Sequence, residues 1–351
     1  MVINFLRLKK MSEVFYRKYR PQKFDEVAGQ SRIVQALKNA LAQDKIAHAY
    51  LFSGPRGTGK TTLARILAKS VGCNPEDTIE IDGASQRGID EARELREGVR
   101  VLPFSSPKKA YIIDEVHMLT REAFNALLKT LEEPPEHVLF VLATTEISKV
   151  PETIISRTQH FEFAKIPVAE TIKELKKISK KEDMAVSDDA LGLMAFFSDG
   201  SLRDAENILF QLSGLNSKSI EEKDVRLLLG APKEEQVNSI VSSMFNKDSK
   251  TMLENFSYAI NSGINPSLLG KLILRNVRAS LFLHLDPTNR EIAEELSAQE
   301  LEFLKNLPKK NSIFFDFALR EILTALSHRA DDYTAHIPLE LALIKITTQT
   351  A

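Results

Sequence analysis

An α/β protein built on a parallel sheet, continued by an all-helical chain, is the fold the sequence predicts. Between residues 31 and 165, short apolar runs alternate with helical patterns. That alternation argues for parallel strands covered by helices on both faces. A glycine-rich stretch, "GPRGTGKTT" (54–62), joins the first apolar run to a helical pattern. Past "FAKIPVAE" the strands stop, and only helical periodicity remains.

The expected strands are "AYLFSG" (49–54), "DTIEID" (77–82), "KAYIIDE" (109–115), "HVLFVLATT" (137–145) and "HFEF" (160–163). Helices fall around and between them. "SRIVQALKNALAQ" places Val34, Leu37 and Leu41 on one face, with Ser31 as the expected N-cap. "TTLARILAKSV" does the same with Leu63, Ile66 and Leu67, and "REAFNALLKTLEE" with Phe124, Leu127, Leu128 and Leu131. Three helices, "VAETIKELKKISKKED", "SDDALGLMAFFS" and "SLRDAENILFQLSG", then lead to a boundary at "LLLGAPKEEQ" (227–236), where Gly and Pro interrupt the pattern. The remainder is helical, with Pro266, Pro287 and Pro338 at breaks. Three domains are expected: α/β over 1–166, small helical over 167–230, and larger helical over 231–351.

Composition narrows the function classes. Hydrophobic residues at 43% and charged residues at 27% describe an ordinary globular chain. No apolar stretch approaches the ~20 residues of a membrane-spanning helix. The opening "MVINFLRLKK" lacks the apolar core and small-residue cleavage site of a signal peptide, and Met11 is a second candidate start. A single cysteine, Cys73, excludes an intramolecular disulfide and a multi-cysteine zinc site, which makes a cytoplasmic location the default. With a net charge of −1, any nucleic-acid contact must come from a local basic surface or from an assembly that pools several.

"GPRGTGKTT" fits G-x-x-x-x-G-K-[ST] in its required strand–loop–helix context. Gly54, Pro55, Gly57, Thr58 and Gly59 form a loop whose backbone N–H groups can turn around phosphate oxygens, at a helix N-terminus that favours anions. Lys60 is expected to neutralise the β- and γ-phosphates, and the hydroxyl of Thr61, followed by Thr62, to hold Mg²⁺. "YIIDEVH" delivers Asp114 and Glu115 to the C-terminal end of a strand, where ligands of open α/β sheets sit. Asp114 can reach Mg²⁺, and Glu115 can polarise an attacking water. "LATTE" ends the next strand with Thr145, a candidate hydrogen-bond donor to the γ-phosphate or the water.

Together, "YRKYRP", "GPRGTGKTTLARILAK", "YIIDEVHMLTREAFNALLKTLEEPPEHVLFVLATTE" and "IISR" closely resemble the gamma/tau subunits of the bacterial DNA polymerase III clamp loader. These are AAA+ ATPases related to the replication factor C subunits. The likeness runs from about Tyr16 to Leu212 and is general beyond residue 233, where length and helical content suit the family's oligomerisation collar. It implies an α/β P-loop AAA+ module, a small helical lid and a helical collar. It further implies a five-subunit ring that uses ATP and Mg²⁺ to open a sliding clamp and place it on primer–template DNA. The implied partners are delta and delta-prime subunits, further copies of this chain, the clamp and the DNA, with no membrane. By the same resemblance, Thr145 is a first sensor and Arg203 in "GSLRDA" a second, reaching its own subunit's γ-phosphate. Arg20 and Pro21 of "YRKYRP" would contact the adenine. Arg157 of "IISRT" would be an arginine finger aimed at a neighbour's ATP, although nothing near it in the sequence is an evident partner.

The chain departs from the family in places. "AKSVGCNPEDTIEIDGAS" runs almost directly from helix to strand where relatives insert a four-cysteine module; only Cys73 remains, so no zinc is expected. Thr158 follows the finger where the family has cysteine. The length suits the short gamma form, or a tau form cut at the collar. Arg87, Arg93 and Lys129 are candidate DNA-backbone contacts, set among interleaved acids. The alternatives are a non-hydrolysing delta-prime-like stator, a generic AAA+ DNA-remodelling ATPase such as a Holliday-junction motor, and a nucleotide-binding scaffold that never turns over.

Overall fold

The computed structural model describes residues 13–85, 95–214, 219–289, 292, 296, 298–328 and 334–348. These form two compact units: one takes the described residues to Lys181 with Ala195–Gln211, the other Glu182–Met194 and everything from Leu212 onward.

In chain order the first unit contains α1 (Phe15–Lys18), α2 (Ser31–Ala42), β1 (Ala49–Ser53), α3 (Lys60–Ser70), β2 (Thr78–Asp82), β3 (Lys109–Asp114), α4 (Arg121–Glu132), β4 (Val138–Thr144), α5 (Glu152–Ile155), β5 (Gln159–Glu162) and α6 (Val168–Lys181). Its sheet is wholly parallel, in the order β2-β3-β4-β1-β5. β1 and β4 are buried along their whole length, which is why they read as unbroken apolar runs rather than alternating ones. Alternate residues still serve opposite faces. Tyr50, Phe52, Ile112 and Val141 join Leu63, Ile66 and Leu67 of α3 and Val34 and Leu37 of α2. Leu51, Tyr111, Ile113, Phe140 and Leu142 join Phe124, Leu127 and Leu131 of α4.

Each expected strand is present; the first four are trimmed at their ends, and β5 is shifted one residue earlier than expected, to Gln159–Glu162. β1 stops before Gly54 and β3 before Glu115, because both residues take positive φ (134° and 46°) that an extended strand cannot hold. Ser31 is the first residue of α2 and not its N-cap; that position is Gln30. The Gln30 side chain makes no cap bond. It is buried and donates to the carbonyl of Ala164 at 2.8 Å, tying the helix start to the irregular chain that follows β5.

α7 (Asp188–Phe197) begins in the second unit and ends in the first, and most of α8 (Leu202–Ser213) belongs to the first. The second unit is not purely helical. β6 (Ala185–Val186) and β7 (Ser219–Ile220) form a short parallel pair, extended when Ser187 N–H donates to the Ile220 carbonyl at 3.0 Å. Two residues per strand are too few to show a period-2 pattern, so the sequence carries no signal for this pair. α9 (Glu222–Leu229), α10 (Glu234–Asn246), α11 (Ser249–Asn261), α12 (Pro266–Leu285), α13 (Ala298–Lys305), α14 (Ser312–Ser327) and α15 (Ile337–Thr348) complete the unit. Phe245 of α10 packs edge-on against Phe314 and Phe315 of α14 at its centre.

Candidate functional site

The order β2-β3-β4-β1-β5 makes β1 a switch point, and residues at the C-terminal ends of β1, β3 and β4 converge there. β1 feeds the glycine-rich loop. A Cβ on Gly54 would lie 2.3 Å from the Phe163 carbonyl oxygen, and one on Gly57 would lie 2.0 Å from Ser201 Oγ. The chain therefore tolerates no side chain at either point. Gly59 (φ 99°) is the N-cap of α3, and no side chain caps that end. The first-turn N–H groups of Lys60, Thr61 and Thr62 consequently face the cleft as an anion cradle.

Lys60 is 6% exposed, and its ammonium donates to the carbonyls of Gly54 (2.8 Å) and Pro55 (2.7 Å). Burial lowers its pKa, while Glu115 and Asp114 act in the opposite direction. Thr58 closes the loop with a hydroxyl bond to the Pro55 carbonyl at 2.8 Å. Thr61 Oγ1 donates to Asp114 Oδ2 at 2.7 Å, joining the two residues expected to hold a metal.

Glu115 sits in the left-handed region (φ 46°, ψ 45°), which turns it off the end of β3. Backbone strain in a non-glycine residue is characteristic of working sites. Its carboxylate accepts from the hydroxyl of Thr145 (3.0 Å) and from the Thr145 N–H (3.3 Å). Thr145 itself is not among the cleft-lining residues; it reaches the cleft through Glu115.

Sequence reasoning missed the group behind this pair. His117, with a side chain only 6% exposed, lies 2.9 Å from Thr144 Oγ1 through Nδ1 and 3.4 Å from Glu115. Its Nε2 lies 3.4 Å from Glu146. The available signals were the third-following histidine of "DEVH" and the acid closing "TTE".

The N-terminal segment and α8 add to the cleft lining, with Ser201 and Arg203 beside Gly57 of the loop. Arg20, Pro21 and Arg203 are among the lining residues, joined by Tyr16, Leu202 and Glu206. The Arg203 guanidinium lies 4.6 Å from the centroid of the Tyr16 ring. A hydrogen bond from Arg203 is the main cause lowering the Tyr16 pKa. Glu206 is 7% exposed, and burial, reinforced by the charge of Glu174, pushes its carboxyl up to about 8.

Arg157 is not part of the cleft lining, and the structure corrects its apparent isolation. Its guanidinium pairs with Glu132 at 2.6 Å and donates to the Thr153 carbonyl at 2.9 Å. The partner belongs to "LEEPP" at the end of α4, a segment local reading could not connect to it. Lys129 is exposed on α4. Arg87 and Arg93 lie outside the described residues. Cys73 is buried in the core beside α3, and burial pushes its thiol up to about 11. Among the described residues, no group of His, Cys, Asp or Glu side chains could hold a metal by itself. The helix-end cradle and the buried Lys60, with the Thr61–Asp114 pair beside a poised carboxylate, suit a nucleoside triphosphate with a divalent cation.

A family model described as "DNA polymerase III, delta subunit" matches residues 29–88 and 76–167. The DNA polymerase III subunit gamma of Buchnera aphidicola (subspecies Baizongia pistaciae) is 41% identical over 273 residues, which is 72% of this chain and 74% of that protein. The DNA polymerase III subunit tau of Bacillus subtilis is 38% identical over 95% of this chain, which spans 63% of that protein's length. Among solved structures, the Thermotoga maritima RuvB Holliday junction branch migration motor matches with TM-score 0.53 and 21% identity, over 64% of this chain and 79% of that one. That likeness shows a shared fold, a parallel α/β sheet followed by helical segments.

Proposed function

The chain belongs to the DNA polymerase III gamma/tau subunit family, and from that premise we propose that it is the ATPase motor of a clamp loader. Acting within a ring that contains delta, delta-prime and further copies of itself, it would load a sliding clamp onto primer–template DNA in the cytoplasm. The observation that carries this reading is one cleft in which the cradle of α3, the Thr61–Asp114 pair and Glu115 meet.

Lys60 would exchange its two loop carbonyls for phosphate oxygens, because a triphosphate offers its ammonium a stronger, charged acceptor. Thr61 and Asp114 would hold Mg²⁺, which when bound neutralises charge between the β- and γ-phosphates. Glu115, steadied by Thr145, would orient the attacking water and draw on its proton. Arg203 would act as a second sensor in its own subunit, and Arg20 and Pro21 would flank the base. Arg157 would leave Glu132 and serve the ATP of the neighbouring subunit, where a fixed guanidinium stabilises charge developing on the transferred phosphoryl group. Lys129, Arg87 and Arg93 would follow the DNA backbone. Zinc has no role in this account.

The delta-prime-like alternative needs no working phosphate loop, and an intact Lys60, Thr61 and Glu115 argue against it. The deciding experiment is ATP hydrolysis by the ring reconstituted with clamp and primed DNA. DNA-stimulated turnover that disappears with Lys60→Ala is expected, from a preparation with no stoichiometric zinc by elemental analysis. Absence of stimulated turnover in the complete wild-type assembly would overturn the motor reading.

A further inference from the structure

We propose that Glu206 reads the nucleobase, its carboxyl pairing with the N1 and N6 edge of adenine so that the cleft selects ATP over GTP. This rests on the nucleotide reading of the cleft and adds a specificity residue to it.

The geometry starts from α8. Arg203 and Glu206 stand three residues apart, hence on one face of that helix, and both line the cleft that contains the phosphate cradle. The same cleft is lined by the apolar residues Pro21, Val27, Ala28, Ile166 and Leu202. Flat apolar walls with one or two fixed polar groups are what a purine site requires. The phosphate cradle fixes one end of a bound nucleotide, so the base would be left to the remainder of this lining.

Glu206 is 7% exposed, and its carboxyl has no hydrogen-bond or ion-pair partner among the described residues. Unlike Tyr111 Oη, which is fully buried and unpartnered, this carboxyl is only mostly buried, and it is costly there unless water or a ligand reaches it from the cleft. A ligand that completes its bonds removes that cost.

The protonation state sets which base fits. With a pKa pushed up to about 8 by burial and by Glu174, the carboxyl is mostly neutral at pH 7. A neutral carboxyl offers one O–H donor and one carbonyl acceptor. Adenine presents the complement, an acceptor at N1 and a donor at N6. Guanine presents the reverse, a donor at N1 and an acceptor at O6. Against guanine, the neutral acid would leave polar groups unpaired, which is how sites reject close analogues strongly. An ionised carboxylate only accepts, so it would lose the bond to adenine N1.

Equilibrium binding of ATP and GTP, each with Mg²⁺, to the full chain tests this in the wild type, Glu206→Gln and Glu206→Met. Glutamine also presents one donor and one acceptor, so it should keep the preference for ATP. Methionine should weaken ATP binding about tenfold and bring the ATP-to-GTP ratio toward one, with GTP affinity little changed. Wild-type affinity for ATP should fall between pH 7 and pH 9, while that of Glu206→Gln stays flatter. The groups that share this field, Tyr16 and Arg20 from the N-terminal segment, Glu174 from α6 and Arg203 from α8, are common to both proteins. ATP binding by Glu206→Met equal to the wild type, at an unchanged ratio, overturns the inference and leaves the nucleotide site standing. If Glu206→Met does not fold, identical pH profiles for wild type and Glu206→Gln overturn it instead. A wild-type chain that binds neither nucleotide removes the nucleotide reading, and this inference with it.

Discussion

Lys60 and Glu206 are two buried ionisable residues in one cleft, and burial acts on both by disfavouring charge. For Glu206 this has a consequence for folding that needs no ligand. Its folded pKa is raised to about 8, against roughly 4.3 in an unfolded chain. Below the lower value both states are protonated, and the residue has no effect on the balance. Between the two values the folded state retains a proton that the unfolded state has lost, so stability falls as pH rises through this window. Above about 8 the full cost is present. Urea denaturation should find Glu206→Gln more stable than the wild type at pH 8.5, by about 5 kcal/mol, with the difference falling to about 1 kcal/mol at pH 5 and vanishing near pH 3.5. A constant difference across that range would contradict the shift. The phosphate-loop residues and Asp114 could be read from the sequence because their spacing is dictated by a phosphate chain and a metal. Glu206 and His117 could not, because their roles come from burial, and burial depends on residues far along the chain.

Elements were legible in proportion to their length. β1, β3, β4 and the three helices that cover them announce themselves through periodicity, since each must present an apolar face to one sheet. The β6–β7 pair is too short for that, and the Gln30 cap is set by a bond to Ala164 that no local pattern encodes. Long-range pairing also decides the second unit. Arg275 of α12 and Glu300 of α13 form an ion pair at 2.9 Å, each side chain only 8% exposed. Replacing one partner breaks this buried charge pair, whereas replacing both with apolar residues removes it whole. Arg275→Met should therefore destabilise the chain by about 3–5 kcal/mol. Adding Glu300→Leu should recover most of that loss in the same thermal or denaturant melt. A double variant as unstable as the single one would mean that packing, and not charge pairing, is what Arg275 provides.

At the scale of the whole molecule, the cleft gathers a phosphate cradle, a metal pair and a carboxylate, yet Arg157 stands outside it, tied to Glu132. If that arginine serves a neighbour, Arg157→Ala should leave ATP binding by the isolated chain nearly unchanged. It should also lower turnover in the assembled ring by about 10³-fold or more. Loss of binding in the isolated variant would place Arg157 in its own subunit's site. The sheet order also governs how the molecule comes into being. β1, which carries the phosphate loop, touches neither β2 nor β3; its neighbours are β4 and β5, with Ala49 opposite Phe140 and Tyr50 opposite Gln159. A chain emerging from the ribosome thus makes its nucleotide loop early and leaves one edge of the strand behind it unpaired until Thr144 is out, and the other until Glu162 is out. Late pairing of this kind is slow and exposes strand edges to aggregation. Nucleotide affinity should accordingly lag well behind synthesis of the loop itself, and the interval before it appears is when this unit most needs shielding.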